Sequence, residues 1–117
     1  MKRKSSIILI MIFLISMQCG IFESKNHPPK IVSINATPLE LSYGEYSRLS
    51  IVATDEDNDK LTYTWSSEHG YLDGVSGTSV VWHPPGPPSV PGKYTIQCIV
   101  SDGKDTVKGS VSINIIS

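Results

Sequence analysis

The segment from Pro91 to Gly103 constrains the fold more than any other part of the sequence. Its apolar side chains fall on alternate positions, and this period of two predicts a β-strand with one buried face. The side chains expected on that face are Tyr94, Ile96, Cys98 and Val100. Pro91-Gly92 opens the run and Asp102-Gly103 closes it, and Asp-Gly between two such runs is a strong hairpin signal. The rest of the chain is therefore expected to pack around this strand.

The remainder of the chain after Lys30 shows further short apolar runs separated by turn residues. The additional predicted strands cover residues 31–36, 39–42, 47–54, 61–66, 79–83 and 104–116. Gly109 is expected to form a bulge in the last of them. Residues 67–77 are rich in glycine and polar side chains and are predicted to be mostly loop. About seven strands in roughly ninety residues predict an all-β, immunoglobulin-like sandwich of two antiparallel sheets.

Trp65 is expected at the centre of that sandwich, packed with Ile51 and Cys98. In antibody domains, a disulfide joins the two strands that correspond to those of Ile51 and Cys98. Here position 51 holds isoleucine, so this disulfide cannot form. Cys98 is therefore predicted to be a free, buried side chain that packs as a small apolar group. Cys19, the only other cysteine, lies outside the predicted domain. The core is expected to hold through apolar contact alone.

The N-terminal region has the layout of a secretory signal. Lys2, Arg3 and Lys4 precede an unbroken apolar run from Ile7 to Ile15, which is shorter than the ~20 residues that a membrane-spanning helix needs. The cysteine that follows, in Ser16-Met17-Gln18-Cys19, resembles the lipobox of bacterial lipoproteins. The resemblance implies a signal helix over residues 1–18, cleavage before Cys19 and lipidation of that cysteine.

Gln18 stands where that family has a small residue, so an uncleaved anchor and ordinary signal cleavage are the alternatives. Residues 19–29 are predicted to form the lipidated N-terminus and a short linker, and residues 30–117 to form the domain. Export and attachment to a bacterial membrane follow from this organisation, with the domain at the cell surface or facing the periplasm.

Several phrases of the domain resemble PKD-type and cadherin-like bacterial surface domains. They are Ala53-Thr54-Asp55-Glu56-Asp57-Asn58-Asp59-Lys60-Leu61-Thr62-Tyr63-Thr64-Trp65, Val81-Trp82, Pro91-Gly92-Lys93-Tyr94 and Val100-Ser101-Asp102-Gly103. The resemblance spans nearly all of residues 31–116. It implies an extracellular β-sandwich used as a spacer, adhesion or interaction module. We expect a non-catalytic function in adhesion, assembly or partner binding.

Charge argues against a nucleic-acid partner. The formal net charge of the whole chain is −1, and three of its ten basic residues are Lys2, Arg3 and Lys4 in the signal. The remaining sequence is mildly acidic and has no basic cluster, whereas phosphate binding requires grouped lysine and arginine side chains.

An acidic turn supplies the one candidate metal site. Asp55, Asp57 and Asp59 alternate within a few residues, and such dense oxygen ligands suit Ca²⁺. The hairpin carboxylates Asp102 and Asp105 are expected near the same end of the sandwich. A solvated turn, favoured by aspartate and asparagine, is the preferred interpretation, and a Ca²⁺-binding junction module is the alternative function.

A candidate binding surface for a protein or glycan partner comprises Tyr71, Trp82 and His83. Packing in the core is the preferred interpretation for Trp82. Glu68 and Asp73 are the carboxylates that a hydrolytic pair would use, but no nucleophile or base accompanies them in the sequence. The chain is therefore predicted not to be an enzyme, and a role as a hydrolase accessory protein is a distant alternative.

Overall fold

The computed structural model describes residues 25–42, 44–86 and 90–116. Its regular structure is entirely β, and nothing in these ranges is a helix long and apolar enough to cross a membrane. The predicted signal helix and the predicted lipidation at Cys19 lie outside the described residues. The strands are β1 (Lys30–Thr37), β2 (Glu40–Leu41), β3 (Ser47–Thr54), β4 (Thr62–Ser67), β5 (Tyr71–Asp73), β6 (Ser79–His83), β7 (Gly92–Ser101) and β8 (Thr106–Ile115).

These strands form two four-stranded sheets, and this confirms the predicted sandwich. The first sheet has the order β1-β3-β6-β5 and the second the order β2-β8-β7-β4. Every pair is antiparallel except β2 with β8, which runs parallel. The inward faces of both sheets carry the apolar half of each alternating run, so the two layers bury one common core.

Strand β7 is an inner strand of the second sheet, paired with β4 on one side and β8 on the other. Ile96, Cys98 and Val100 on its inward face are fully buried, whereas Ile99 on the other face is 40% exposed. The alternation that predicted the strand therefore also identified the face that packs. Cys98 is a free thiol, as predicted.

Two tryptophans contribute the largest buried side chains of the core. Trp65 is 2% exposed, and its indole N–H donates to the carbonyl oxygen of Gly77 at 2.9 Å. Trp82 is 0% exposed, and its indole N–H donates to the carbonyl oxygen of His69 at 3.0 Å. Each ring therefore buries its apolar body without leaving its one polar group unpaired.

One local prediction was incomplete and another was wrong. Residues 67–77 are mostly loop, as predicted, but Tyr71–Asp73 forms strand β5 against β6, which raises the strand count to eight. Gly109 is not at a bulge, since the β7–β8 register runs through it without a shift. A Cβ there would lie 2.9 Å from Cδ1 of Ile31, so the glycine makes room for a side chain of the opposite sheet. The register shift occurs instead in β1, between Ile31 and Ser33.

The strand directions give the sandwich two distinct ends. At one end, called the acidic end, lie the start of β1, the β3–β4 loop with Asp55 to Asp59, and the β7–β8 hairpin with Asp102 and Asp105. At the opposite end, Thr37 pairs with Arg48, and Tyr71 pairs with His83. The candidate metal site and the candidate binding surface thus lie at opposite ends.

Truncation of Trp65 to alanine is expected to destabilise the domain by about 3–5 kcal/mol, because it removes a buried ring and leaves the Gly77 carbonyl without its donor. Ile99→Ala is the matched control, because it trims an exposed side chain next to a residue of the same core and should cost less than about 1 kcal/mol. Urea unfolding followed by far-UV circular dichroism measures both. Equal midpoints for the two variants would contradict a core centred on Trp65.

Candidate functional site

The β3–β4 loop is folded by the side chain of Asp55. Its Oδ1 accepts hydrogen bonds from the backbone N–H of Asp57 at 2.9 Å and of Asp59 at 3.2 Å. Asn58 takes the left-handed backbone conformation, with φ of 57°, which asparagine tolerates better than most residues. This turn brings one carboxylate oxygen each of Asp55, Asp57 and Asp59 within 4.8 Å of one another. The alternating aspartates of the sequence therefore do converge.

The β7–β8 hairpin is folded in the same way by Asp102, which is buried. Its Oδ1 accepts from the backbone N–H of Lys104 at 2.8 Å and of Asp105 at 2.7 Å. The backbone bond from Asp105 lowers the pKa of Asp102 most, and the Asn26 amide adds to the effect, so that the pKa falls to about 2. The hydrogen bonds favour the charged carboxylate over its protonated form.

The two acidic turns meet at Asp55. Its side chain also helps to lower the pKa of Asp102. Its second oxygen, Oδ2, is buried, and no donor in the described part of the chain reaches it. A buried carboxylate oxygen without a donor costs free energy, so this atom is an acceptor for which those residues supply no partner.

The segment that precedes β1, residues 25–29, packs against the acidic end. The side-chain amide of Asn26 donates through Nδ2 to Asp102 Oδ2 and to Asp105 Oδ2, both at 2.8 Å. Pro29 is buried. The composition of this segment predicted only a short linker. No periodic pattern marks Asn26 and His27, the two residues that contact the acidic turns.

His27 adds contacts with the other acidic turn. Its backbone N–H donates to Asp57 Oδ2 at 2.8 Å, and its Nδ1 lies 3.1 Å from Asp57 Oδ1. Its Nε2 lies 3.5 Å from a carboxylate oxygen of Glu56. The side-chain hydrogen bond with Asp57, followed by the charge of Glu56, raises the pKa of His27. The backbone N–H of His27, followed by its ring, lowers the pKa of Asp57. Both side chains are solvent-accessible, so the pair is screened by water.

At the opposite end, three aromatic rings form a row across the outer face of the first sheet. The rings of Tyr71 and His83 stack with centroids 4.4 Å apart and an interplanar angle of 6°. Tyr46 directly precedes β3, the other neighbour of β6, and its ring centroid lies 5.5 Å from that of His83. Tyr46 and Tyr71 are 56% and 60% exposed, so the row is open to solvent at both of its ends.

This aromatic row, Tyr46-His83-Tyr71, differs from the predicted surface in two residues. Trp82 does not belong to it, because alternation along β6 directs its ring into the core. Tyr46 was missed because it precedes β3 and belongs to no alternating run. The row is held in place by Gly70, where a Cβ would lie 2.1 Å from the His83 carbonyl oxygen. Only glycine permits this approach of β5 to β6.

The two carboxylates weighed as a hydrolytic pair lie on different surfaces. Glu68 lines a polar groove of about 430 Å³ on the second sheet, between the end of β4 and the start of β7. Asp73 lies on the first sheet, with Oδ2 3.9 Å from Nε2 of His83. The groove is lined by Ser66, Ser67, Glu68, His69, Lys93, Tyr94, Thr95 and Gln97. The separation gives these two acids no shared substrate position.

Solved structures that share this fold include the PKD domain of an M14-like peptidase from Thermoplasmatales archaeon SCGC AB-540-F20. The TM-score is 0.59 at 21% identity, over 80% of this chain and 100% of that chain. The Pseudomonas fluorescens alkylpurine DNA glycosylase AlkC, bound to DNA containing an abasic site analog, aligns with a TM-score of 0.53 at 16% identity. That alignment covers 76% of this chain and 30% of that chain. No protein-family model matches the sequence, and no curated protein does. The likeness shows a PKD-like, immunoglobulin-like sandwich.

The depressed pKa of Asp102 predicts a stability that depends on acid pH. The stabilisation from its charged form is complete above the unfolded-state pKa of about 4 and is lost as the pH falls toward about 2. Asp102→Asn should therefore be less stable than the wild type at pH 7, and the difference should shrink between pH 4 and pH 2.

Chemical denaturation at a series of pH values measures this difference. Asp73→Asn is the control, since that side chain is 75% exposed and folds no turn. A gap between wild type and Asp102→Asn that stays constant from pH 7 to pH 2 would contradict the role assigned to the charge.

Proposed function

We propose that this chain is an exported, membrane-anchored and non-catalytic binding module, whose partner contacts the aromatic row at the end away from the acidic turns. The observation that carries the proposal is this row of exposed rings on a rigid sheet. The basic and apolar N-terminal pattern and the PKD-like fold support its export, and the lipobox resemblance at Cys19 supports its anchoring.

The row has the features of a recognition surface rather than of incidental exposure. Aromatic side chains supply a large contact area with few rotatable bonds, and the stack of Tyr71 on His83 restricts both rings further. The hydroxyl groups of Tyr46 and Tyr71 add hydrogen-bonding capacity beside the apolar ring surface. A glycan or a protein strand would meet both kinds of contact there.

Three potentially reactive groups of the domain are buried or engaged in structural roles, which supports a non-catalytic function. Asp55 and Asp102 each bind two backbone N–H groups of their own turns. Burial raises the pKa of the Cys98 thiol, so that it stays protonated and unreactive.

Substitution of the row tests the binding proposal. Tyr46→Ala combined with Tyr71→Ala should weaken binding to an arrayed glycan or bacterial envelope protein at least tenfold, because it removes both exposed rings. Val52→Ala is the matched control, since it trims a side chain that is 53% exposed on the same sheet and outside the row. Surface plasmon resonance with the folded variants measures the change. Unaltered binding in the double variant would refute the row as the contact surface.

A second function, Ca²⁺ binding at the acidic end, is favoured by the donorless Oδ2 of Asp55. Asp55, Asp57 and Asp59 offer three converging oxygens, and Asp102 and Asp105 lie on the adjoining turn. These hard oxygen donors fit Ca²⁺, and a bound ion would supply the positive charge that offsets the repulsion between the closely spaced carboxylates. His27 already hydrogen-bonds both oxygens of Asp57, so it would compete with the ion for that ligand.

Thermal unfolding tests this second function. Ca²⁺ at about a hundred times its dissociation constant should stabilise the chain by about 2.7 kcal/mol, which is a rise in Tm of several degrees. Asp55→Asn should abolish the rise, because asparagine can keep the turn bond through its Oδ1 but removes the charge. Asp73→Asn, far from the site, should keep it. A Tm that does not respond to Ca²⁺ in the wild type would exclude the site.

A further inference from the structure

We propose that residues 25–29 act as a strap that shortens the connection between the membrane anchor and the domain, and holds the acidic end toward the bilayer. This inference rests on the proposed anchoring at Cys19. It goes beyond that proposal because it assigns a function to the segment that composition marks only as a linker. Its basis is a set of contacts that span both acidic turns.

The strap crosses the acidic end from one sheet to the other. It continues into β1, the edge strand of the first sheet, and Pro29 is buried at that junction. Two residues earlier, His27 is bound through its backbone and ring to Asp57 of the β3–β4 loop. One residue further back, Asn26 bonds Asp102 and Asp105 in the hairpin of the second sheet. A segment that served only as a linker would not need hydrogen bonds to both the β3–β4 loop and the β7–β8 hairpin.

These contacts move the point at which the chain is fixed to the domain. Without the strap, eleven residue steps would separate Cys19 from Lys30, the first residue of β1, for a reach of at most about 40 Å. With the strap in place, seven steps separate Cys19 from Asn26, the first bound residue, for a reach of at most about 25 Å. The strap therefore shortens the longest possible connection between anchor and domain by about 15 Å.

The consequence concerns the partner. The aromatic row lies at the other end of strands such as β1, whose eight residues span about 26 Å. With the acidic end held toward the bilayer, the row points away from it. The geometry therefore favours a partner that approaches from the solvent, such as a glycan or protein outside the anchoring membrane, over the lipid surface itself.

Acidic side chains do not by themselves explain this orientation. Anionic bilayers repel carboxylates, so an end that carries Asp57, Asp102 and Asp105 would not adsorb to such a surface on its own. The strap provides a mechanical cause instead, because a short connection fixed at this end brings it near the bilayer whatever its charge. The bonds of Asn26 and His27 are few, so substitution of both should release the strap.

Neutron reflectometry of the full chain, attached to a supported bilayer of phosphatidylethanolamine and phosphatidylglycerol, tests the proposal. In Asn26→Ala combined with His27→Ala, the gap between bilayer and protein layer should widen and become more diffuse, because the connection can then extend further. His69→Ala is the control, since that ring packs edge-on against Tyr94 at 5.7 Å, away from the strap. An unchanged gap in the double variant would overturn the proposal.

Hydrogen exchange of the His27 amide separates this outcome from a failure of the anchoring. That amide donates to Asp57 Oδ2, so it should exchange at least tenfold more slowly in the wild type than in Asp57→Ala. Unchanged exchange would overturn the strap, whether or not the chain attaches to a bilayer. Slow exchange in a chain that does not attach would overturn the anchoring, and with it the membrane part of this inference, while leaving the strap itself supported.

Discussion

The closure of two sheets over one shared apolar face is the interaction on which the rest of this molecule depends. No disulfide links the layers at Cys98, whose thiol is free. The core is held by side chains such as Trp65, Trp82 and Ile96, whose burial contributes free energy in proportion to the apolar area removed from water. The turns and surfaces at the two ends keep their positions only because these strands are fixed relative to one another.

The ends of the sandwich are built by a different kind of interaction. Asp55 and Asp102 fold their turns by accepting backbone N–H groups, which places carboxylates at these two chain reversals. Because both turns lie at the same end, the local requirements of folding concentrate negative charge there. Asn26 and His27, in the segment before β1, donate hydrogen bonds to these carboxylates. The cluster of carboxylates at the acidic end therefore has a structural origin in the two turns, independent of any ligand.

Alternation made most of the fold predictable from the sequence. Strands β3 and β6 have the predicted bounds, and the buried face of β7 follows from the spacing of Ile96, Cys98 and Val100. Strand β5 was missed because three residues among glycines show no period, and its pairing depends on the absence of a side chain at Gly70. The bulge predicted at Gly109 was wrong for a related reason. This glycine makes room for the side chain of Ile31, which is distant in sequence.

The candidate sites were less predictable than the fold. The grouping of Asp55, Asp57 and Asp59 could be foreseen because one turn contains all three. The contribution of Asn26 could not, because its partners lie 76 and 79 residues away and a single asparagine carries no periodic signal. The aromatic row was only half foreseen, since Tyr46 joins Tyr71 through His83 across three chain segments. Contacts of this kind are set by strand order, which local patterns do not encode.

The path of the chain through the sandwich separates the proposed attachment point from the proposed recognition surface. Strand β1 starts at the acidic end, so any anchor that precedes it is joined there, while Tyr71 and His83 pair at the far end of the first sheet. The same antiparallel order that buries Trp65 therefore also sets the distance between the two ends. A rearrangement of the aromatic rings would leave the attachment unchanged, and a change in the strap would leave the rings intact. The proposed attachment and the proposed recognition are compatible in so small a domain because the packed core lies between them.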